Sequence, residues 1–595
     1  MGFTLYFDKN LIAMIKPYFI FREALCLFLL SLVCSLLHAK EDACTLYPFP
    51  YQAKKNLNAH QSSSLPSFKG LILISDEKNL NPTGYQNIHG ILIYHLNVPG
   101  PISSLIKKIL PLVGTPLNQK TITKIKQDVV LFYAQYNHPL VIVSIPEQNI
   151  SAGIVQLIIT ESKLGAVKMQ PTKWFNAQKI QQQIRLQPGE VITSNHLDQD
   201  LDWLNRNPFL EVNALYTPGE LPNTTDIELL TKERFPLRVY TGIDNTGNDI
   251  TGNNRLFLGV DWGNVFWTHQ RLSYQFATSS DFKRFQSHLL FYTIPLPWRH
   301  ILNMYGGYSH AHADFSAPNL GQFQFTTKGF TMQASLRYDI LLNPYHPLLH
   351  QMTLGFDFKR TDNNISLGGE RPVISKQLAN LTQLMIGYQL GYEIDSIALS
   401  FEVEGFYSPG KWIADQSNSN FNGLRPFAKN KYVYTRGALT LDWAFFKQWS
   451  YYTGLRWQLA SDNLLPSEEY GVGGYNTVRG YKERFVNGDD VFIVNLEVRT
   501  PPFSLLNPLA GWKKFHDICK LLLFLDYGFE KVKKPADTQS KTHTLVSIGP
   551  GIRYTITPYL IFRADWGFQL VNINNDPSLR QGAHQKLHFA LIAGY

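Results

Sequence analysis

The sequence predicts a membrane β-barrel of about sixteen antiparallel strands, preceded by two small α+β modules. From Phe235 onward, apolar residues recur with period two, and the connections between those stretches alternate between short and long. Composition agrees: the 595 residues are 13% aromatic and only 17% charged. Beyond the first forty residues, no run approaches the roughly 18 apolar residues of a membrane helix. The net charge of +9 is modest for the length and comes with no basic run or helix. Nucleic acid is therefore not an expected partner.

The N-terminus reads as a secretory signal over residues 1–39. Ala24–Leu37 ("ALCLFLLSLVCSLL") is an uncharged run of the right length, preceded by Lys16 and Arg22 and followed by Ala39 at the cut. A membrane anchor would need about 20 apolar residues. Met14 is an alternative start. Residues 40–67 read as a linker. Pro48, Pro50, Pro66 and a serine run interrupt any long helix, and a plug helix has room only around Tyr51–Gln61. Cys44 and Cys519 remain after cleavage, too few for a disulfide framework, and their pairing is left open.

Residues 68–163 form the first module, in the order β-α-α-β-β. Asn87–Leu96 is a strand, and "SSLIKKILPLV" is a helix opened by a serine cap. Asn118–Tyr136 is a clearer helix, with Ile122, Ile125, Val129 and Phe132 on one face. "PLVIVSI" and "GIVQLIITE" are two further strands. Residues 164–234 repeat this order, with helices near Asn176–Ile184 and Asn195–Leu204. Neither module contains a Gly-rich phosphate loop or a G-x-S-x-G elbow, so an enzyme is not expected.

Residues 235–595 are assigned to the barrel. In "LIFRADWGFQL", Leu560, Phe562, Ala564, Trp566, Phe568 and Leu570 share one face, opposite Arg563, Asp565, Gly567 and Gln569. Short links such as "FFKQ", "ITPY" and "NPYHP" alternate with long polar ones. In the last strand Leu587, Phe589, Leu591 and Tyr595 face one side, an aromatic-terminated pattern that resembles the insertion signal of outer-membrane barrels.

Between the eleventh and twelfth strands lies "GVGGYNTVRGYKERFVNGDD", the sixth outside loop when both chain ends face the periplasm. The thirteenth strand, "KLLLFLDYGFE", presents Asp526 to the lumen, because an acid is disfavoured on the lipid face. Gly528 leaves space beside it. A guanidinium from the loop matches a carboxylate bidentately, so Arg479 is expected to dock on Asp526. Gly471, Gly473, Gly474 and Gly480 would allow the backbone approach. Asn487–Asp490 is expected to be solvated. Arg456, Arg499, Arg553 and Arg563, with Glu497 and Asp565, are expected as scattered ion pairs of a water-filled wall.

Several of these segments resemble one family. "IPEQNISAGIVQLIITE", with Pro146, Gln148 and Gly153, resembles the first POTRA (polypeptide-transport-associated) domain of two-partner secretion transporters. "LNRNPFLEVNALYTPGE", with Asn205, Asn207, Pro208 and Phe209, resembles the second. "VRGY" (Val478, Arg479, Gly480, Tyr481) and "FLDYG" (Phe524, Asp526, Gly528) are similar to the paired loop and strand motifs of that superfamily. The resemblance implies an outer-membrane transporter of a Gram-negative bacterium, of the haemolysin activation/secretion type, with its POTRA domains in the periplasm. It implies capture of an unfolded adhesin- or haemolysin-like exoprotein by its N-terminal secretion domain. It further implies insertion by the barrel-assembly machinery into outer-membrane lipid, a monomer, no cofactor and no metal. The alternatives are an insertase of the same superfamily and a solute porin, which would need no periplasmic modules.

Overall fold

The computed structural model describes residues 44–50, 65–249, 251–316, 324–342, 348–367, 371–507, 516–537, 539–571 and 584–595. The expected signal, the plug segment around Tyr51–Gln61 and the "NPYHP" turn lie outside them. The chain forms two compact units. One comprises residues up to Lys168 with Ile184–Asp200 and Ala214–Leu229; the other comprises Met169–Gln183, Leu201–Asn213 and everything from Leu230.

The first module holds β1 (Cys44–Pro48), β2 (Gly70–Ile74), β3 (Gly90–Tyr94), β4 (Val141–Ser144) and β5 (Ile154–Glu161) in the order β1-β3-β2-β5-β4. Two of these strands depart from the sequence reading. Cys44–Pro48, assigned to the linker, pairs antiparallel with β3 as an edge strand. Gly70–Ile74 ("GLILI") is central and runs parallel to both β3 and β5. A strand buried on both faces is a continuous apolar run, which period-two reading does not detect. Helices Ile102–Ile109 and Gln119–Gln135 cover the sheet, burying Leu105, Ile109, Ile125, Val129 and Phe132. The longer helix is capped by Asn118, whose side chain accepts from Thr121 N. The shorter one corrects an expectation: its N-cap is Pro101, with no side-chain cap bond, and the serines fall in the first turn.

The second module contributes β6 (Lys163–Met169), helices Ala177–Gln181 and Ser194–Asn205, β7 (Leu210–Pro218) and β8 (Thr224–Glu233), with the sheet order β6-β8-β7.

The barrel begins with β9 (Leu237–Asp244), β10 (Arg255–Val265), β11 (Gln270–Ser279) and β12 (Phe285–Pro295). The next four strands are longer: β13 (His300–Ser316), β14 (Gln324–Leu341), β15 (Leu348–Leu367) and β16 (Arg371–Ile394). A tilted strand crosses the hydrocarbon in about 9–11 residues, so strands of 17 to 24 extend past the bilayer. β17 (Ile397–Pro409), β18 (Lys431–Ala444) and β19 (Ser450–Ala460) follow, with a short helix Asn418–Leu424 in the β17–β18 loop. A small hairpin, β20 (Tyr470–Val472) with β21 (Val486–Gly488), stands apart from the barrel sheet. β22 (Asp490–Arg499), β23 (Asp517–Lys531), β24 (Thr542–Ile556), β25 (Leu560–Gln569) and β26 (Gln585–Gly594) complete sixteen barrel strands. Closure runs from Ala590 opposite Asp244 to Gly594 opposite Tyr240 and removes both sheet edges.

Side-chain burial follows the strand period. In β23, Leu521, Leu523, Leu525 and Tyr527 are exposed on the outer wall, while Leu522, Phe524, Asp526 and Glu530 are buried inside. A register slip of one residue would exchange those sets and place carboxylates in lipid, so the pattern fixes the register strongly. This is the fold class expected from the sequence. Cys44 is exposed, Cys519 is buried, and both are free.

Candidate functional site: a loop docked in the barrel

The loop between β19 and β22 starts and ends on the β20–β21 hairpin, which narrows its base and sends residues 473–485 inward. Gly473 and Gly474 sit at φ +103° and +113°, conformations that only glycine adopts without strain. Val472, Val478 and Tyr481 are fully buried and pack with Ile493 of β22 and Leu545 of β24. Apolar packing therefore holds the loop on both sides of Arg479.

Arg479 is 2% exposed, and each of its three guanidinium nitrogens donates to a carboxylate. Its Nε and Nη2 donate to the two oxygens of Asp526, each at 2.7 Å, and its own backbone N–H donates to Asp526 Oδ2 at 3.0 Å. Nη1 donates to Glu497 Oε1 at 2.6 Å and lies 3.6 Å from Asp565. The guanidinium also lies over the Phe524 ring, 3.7 Å from its centroid. Asn495 ties the two partners together, donating to Asp526 at 2.8 Å and to Thr477 O at 2.6 Å.

Arginines surround this centre. Arg499 bonds Glu497 and Asp442, Arg553 bonds Asp565 and Glu497, and Arg563 bonds Asp565 and stacks on Tyr475 of the loop. Arg456 donates to Asn476 O and Asn495. The expectation of scattered pairs on a wetted wall is thus corrected. The inward positions of β22, β23 and β25 converge because paired residues share a face, and Glu497 and Asp565 are buried. The space over Gly528 is also used differently. A side chain there would meet Val472 and Val478 at 2.6 Å, so the glycine admits the valines, and the guanidinium lies on Phe524.

The residue after Arg479 locks the loop sterically. Gly480 has φ +89°, and a Cβ on it would stand 2.8 Å from the backbone of Gly567. Its N–H donates to His588 Nε2 and its carbonyl accepts from Gln569. Tyr481 spans onward to donate to Val571 O. Gly471 is in an ordinary conformation, closely covered by Arg484.

The ends of the loop are fastened too. Asp489, expected in solvent, is fully buried and receives Arg425 at 2.6 and 3.1 Å; Asp490 is likewise buried. Arg425 lies just beyond the helix Asn418–Leu424, so a second long loop folds over and excludes water. Ahead of the hairpin, Glu468 is fully buried against Lys359, Tyr434 and Gln383. Burial opposes its ionisation, but the Lys359 ammonium and the Tyr434 hydroxyl outweigh this and hold the carboxyl at about 2. Neither pair had a signal in the sequence, since the partners lie on different loops and strands.

The other singled-out residues occupy structural places. Gln148 clasps the backbone of Gln156, Pro146 O accepts from Gln148, and Gly153 at φ +80° closes against Ser67 O. Asn205 brackets Val212 through both of its amide atoms. Asn207 donates to Gly263 O at 2.6 Å, and the Phe209 ring, after Pro208, occupies the place of a side chain at Gly263. "NRNPF" is thereby bonded to the end of β10, where Asn264 also donates to Trp174 O. Leu587, Phe589 and Leu591 share the outer face, and Tyr595 exchanges backbone bonds with Val239. Among the described residues, no group of His, Cys, Asp and Glu could hold a metal ion.

Residues 223–554 match the family described as haemolysin secretion/activation protein ShlB/FhaC/HecB, which is more than half of the chain. The chain belongs to this family. Similar curated members include the outer membrane transporter CdiB of Dickeya dadantii, 21% identical over 62% of this chain and 65% of its own length. The heme/hemopexin transporter protein HuxB of Haemophilus influenzae is 19% identical over 74% of this chain and 76% of its own. The first alignment thus spans just under two thirds of that relative. Among solved structures, CdiB from Escherichia coli superposes with a TM-score of 0.69 at 16% identity, covering 90% of this chain and 92% of that one, and shares the fold. This haemolysin secretion/activation family member is an outer-membrane barrel.

Proposed function

We propose that this family member exports a secreted protein partner across the outer membrane. The partner is an exoprotein that reaches the periplasm unfolded, is caught through its N-terminal secretion domain, and folds outside. The observation that carries this reading is the docked loop: a closed barrel that devotes one lumen wall to holding its own sixth outside loop through Arg479, Asp526 and Glu497. A passive solute pore has no need of such a device, nor of the two α+β modules ahead of it. Those modules are read as POTRA domains, and capture proceeds by adding a strand of the partner to an exposed sheet edge. The four-residue β4 is such an edge in the first module. No nucleotide motif is present in the sequence, so folding of the partner outside biases the movement outward. Arg479 and Asp526 hold the pore wall and perform no chemical step.

The test begins with the neighbouring genes, where a large repetitive secreted protein is expected. Deleting the transporter should abolish surface display of that protein, and the intact gene should restore it. Unchanged display in the deletion strain would sink the proposal.

A further inference from the structure

At the short-turn end of the barrel, two adjoining cavities of about 380 and 620 Å³ share Pro208 and Arg271 in their walls. The first carries Arg206, and the second carries Arg234 and Arg238. None of these four guanidiniums makes a hydrogen bond or ion pair among the described residues. The acids near them are few. Asp261 lies opposite Arg238 in the β9–β10 register and lines the larger cavity. Arg206 feels Asp202 and Asp339, but Asp339 is already bonded by Asn303 and Thr353. Lys179, in the wall of the smaller cavity, is a fifth cation over the two cavities and donates to a backbone carbonyl.

Elsewhere in the lumen this protein bonds its guanidiniums closely, so four unbonded ones around joined cavities mark a place for an anion. Strand alternation points Arg238 and Arg271 into the lumen, beside Tyr559 and Phe235 of the same mouth. We propose that this mouth is an acidic-segment receptor, in which extended stretches of the transported polypeptide place Asp and Glu carboxylates against these arginines as they enter the barrel. A planar guanidinium takes a carboxylate from a chain of any sequence order, as long as acids recur along it. Because such contacts are solvent-exposed, each is weak and quickly exchanged, which lets the chain advance. The inference rests on the export reading for the identity of the occupant, while the receptor itself stands on the cavities and their arginines.

The test uses the full-length transporter in planar bilayers and an unstructured peptide of Gly-Ser-Glu repeats, with its Gly-Ser-Gln counterpart as control. From the periplasmic side, the Glu peptide should block the channel current, and salt should weaken the block. Arg238→Gln with Arg271→Gln should weaken the block at least about fivefold. The Arg→Lys pair should retain most of it, and the Gln peptide should block poorly throughout. Insertion of each variant is checked by heat-modifiable gel mobility. Equal block of wild type and the Gln variant by the Glu peptide would overturn the proposal. So would loss, in the Gln variant, of binding to phosphatidylglycerol vesicles with peptide block unchanged, which would make the mouth a lipid headgroup site. Failure of the export reading shows separately, as normal display of the neighbouring exoprotein without the transporter.

Discussion

Arginines in two regions of this barrel have opposite surroundings. Beside the docked loop, Arg425, Arg436, Arg456, Arg479, Arg499, Arg553 and Arg563 each donate to a carboxylate, a side-chain amide or a backbone carbonyl. At the short-turn mouth the guanidiniums of Arg206, Arg234, Arg238 and Arg271 donate to none of the described residues. The residue type is the same, and the difference lies in what alternation and loop folding bring to it. Glu497, Asp526 and Asp565 occupy inward positions of adjacent or loop-bridged strands, so their charges must be met within the wall. Carboxylates at the mouth are sparse and partly occupied. A fully buried unpaired guanidinium would be costly; Arg206, Arg234 and Arg271 are exposed, and Arg238 is half-buried.

The comparison can be broken most forcefully at its centre. Arg479→Ala leaves Asp526 buried with no cation in contact, and breaking such a pair from one side costs about 3–5 kcal/mol. The barrel should still insert, because its sixteen-stranded ladder is independent of the loop. The loop should undock, become cleavable by external protease within residues 473–485, and secretion should fall. Normal secretion by this variant would remove the working role assigned to the docked loop.

Gly480→Ala asks whether charge alone holds the loop. The new methyl would need φ +89° and would press on Gly567 at 2.8 Å, while every ionic partner stays in place. Overpacking of this kind costs about 1–3 kcal/mol. Protease sensitivity between that of wild type and Arg479→Ala is expected. Gly567→Ala should reproduce it from the other side, since its Cβ would approach Gly480 N at 2.4 Å. Full resistance of both variants would show that the ion pairs suffice.

How far these contacts could be read from the sequence depends on their range. Asp526 was legible because β23 alternates without interruption, and Arg479 because its loop follows the eleventh strand. Asp489 and Glu468 were not. Their partners Arg425 and Lys359 sit on a separate loop and strand, and for Asp489 a polar loop alone suggested solvent. The same limit applied in the first module, where "GLILI" gave no alternation because both of its faces are covered. Gly263 had no signal either, since its role appears only once Phe209 lies across it. Local periodicity reports which way a side chain points; what it meets there is set by chain far away.

A smaller effect is expected at the outer fastening. Arg425→Gln keeps a donor near Asp489 but removes the charge and the fork, leaving the backbone N–H groups of Leu464 and Lys533 to hold the carboxylate. A charge-assisted bond contributes about 1.5–3 kcal/mol, so the loss should fall at or below that range. Hydrogen exchange should quicken in the helix Asn418–Leu424 while the Arg479 region stays protected. Simultaneous opening of both regions would mean that the two fastenings form one cooperative unit.

The smallest expected effect belongs to the mouth, and it defines the contrast. Arg271→Gln removes a guanidinium with no described partner, so thermal stability of the detergent-solubilised transporter should change by no more than about 0.5 kcal/mol. Arg553→Gln, on the same lumen wall as the loop, removes bonds to both Asp565 and Glu497. Arg563 and Arg499 continue to neutralise those acids, yet the melting temperature should still drop measurably. If the two variants melted alike, bonding in the lumen would not distinguish structural arginines from ligand-facing ones. A clear drop for Arg553→Gln alone would make the bonded state of an arginine a usable guide to its task in this barrel.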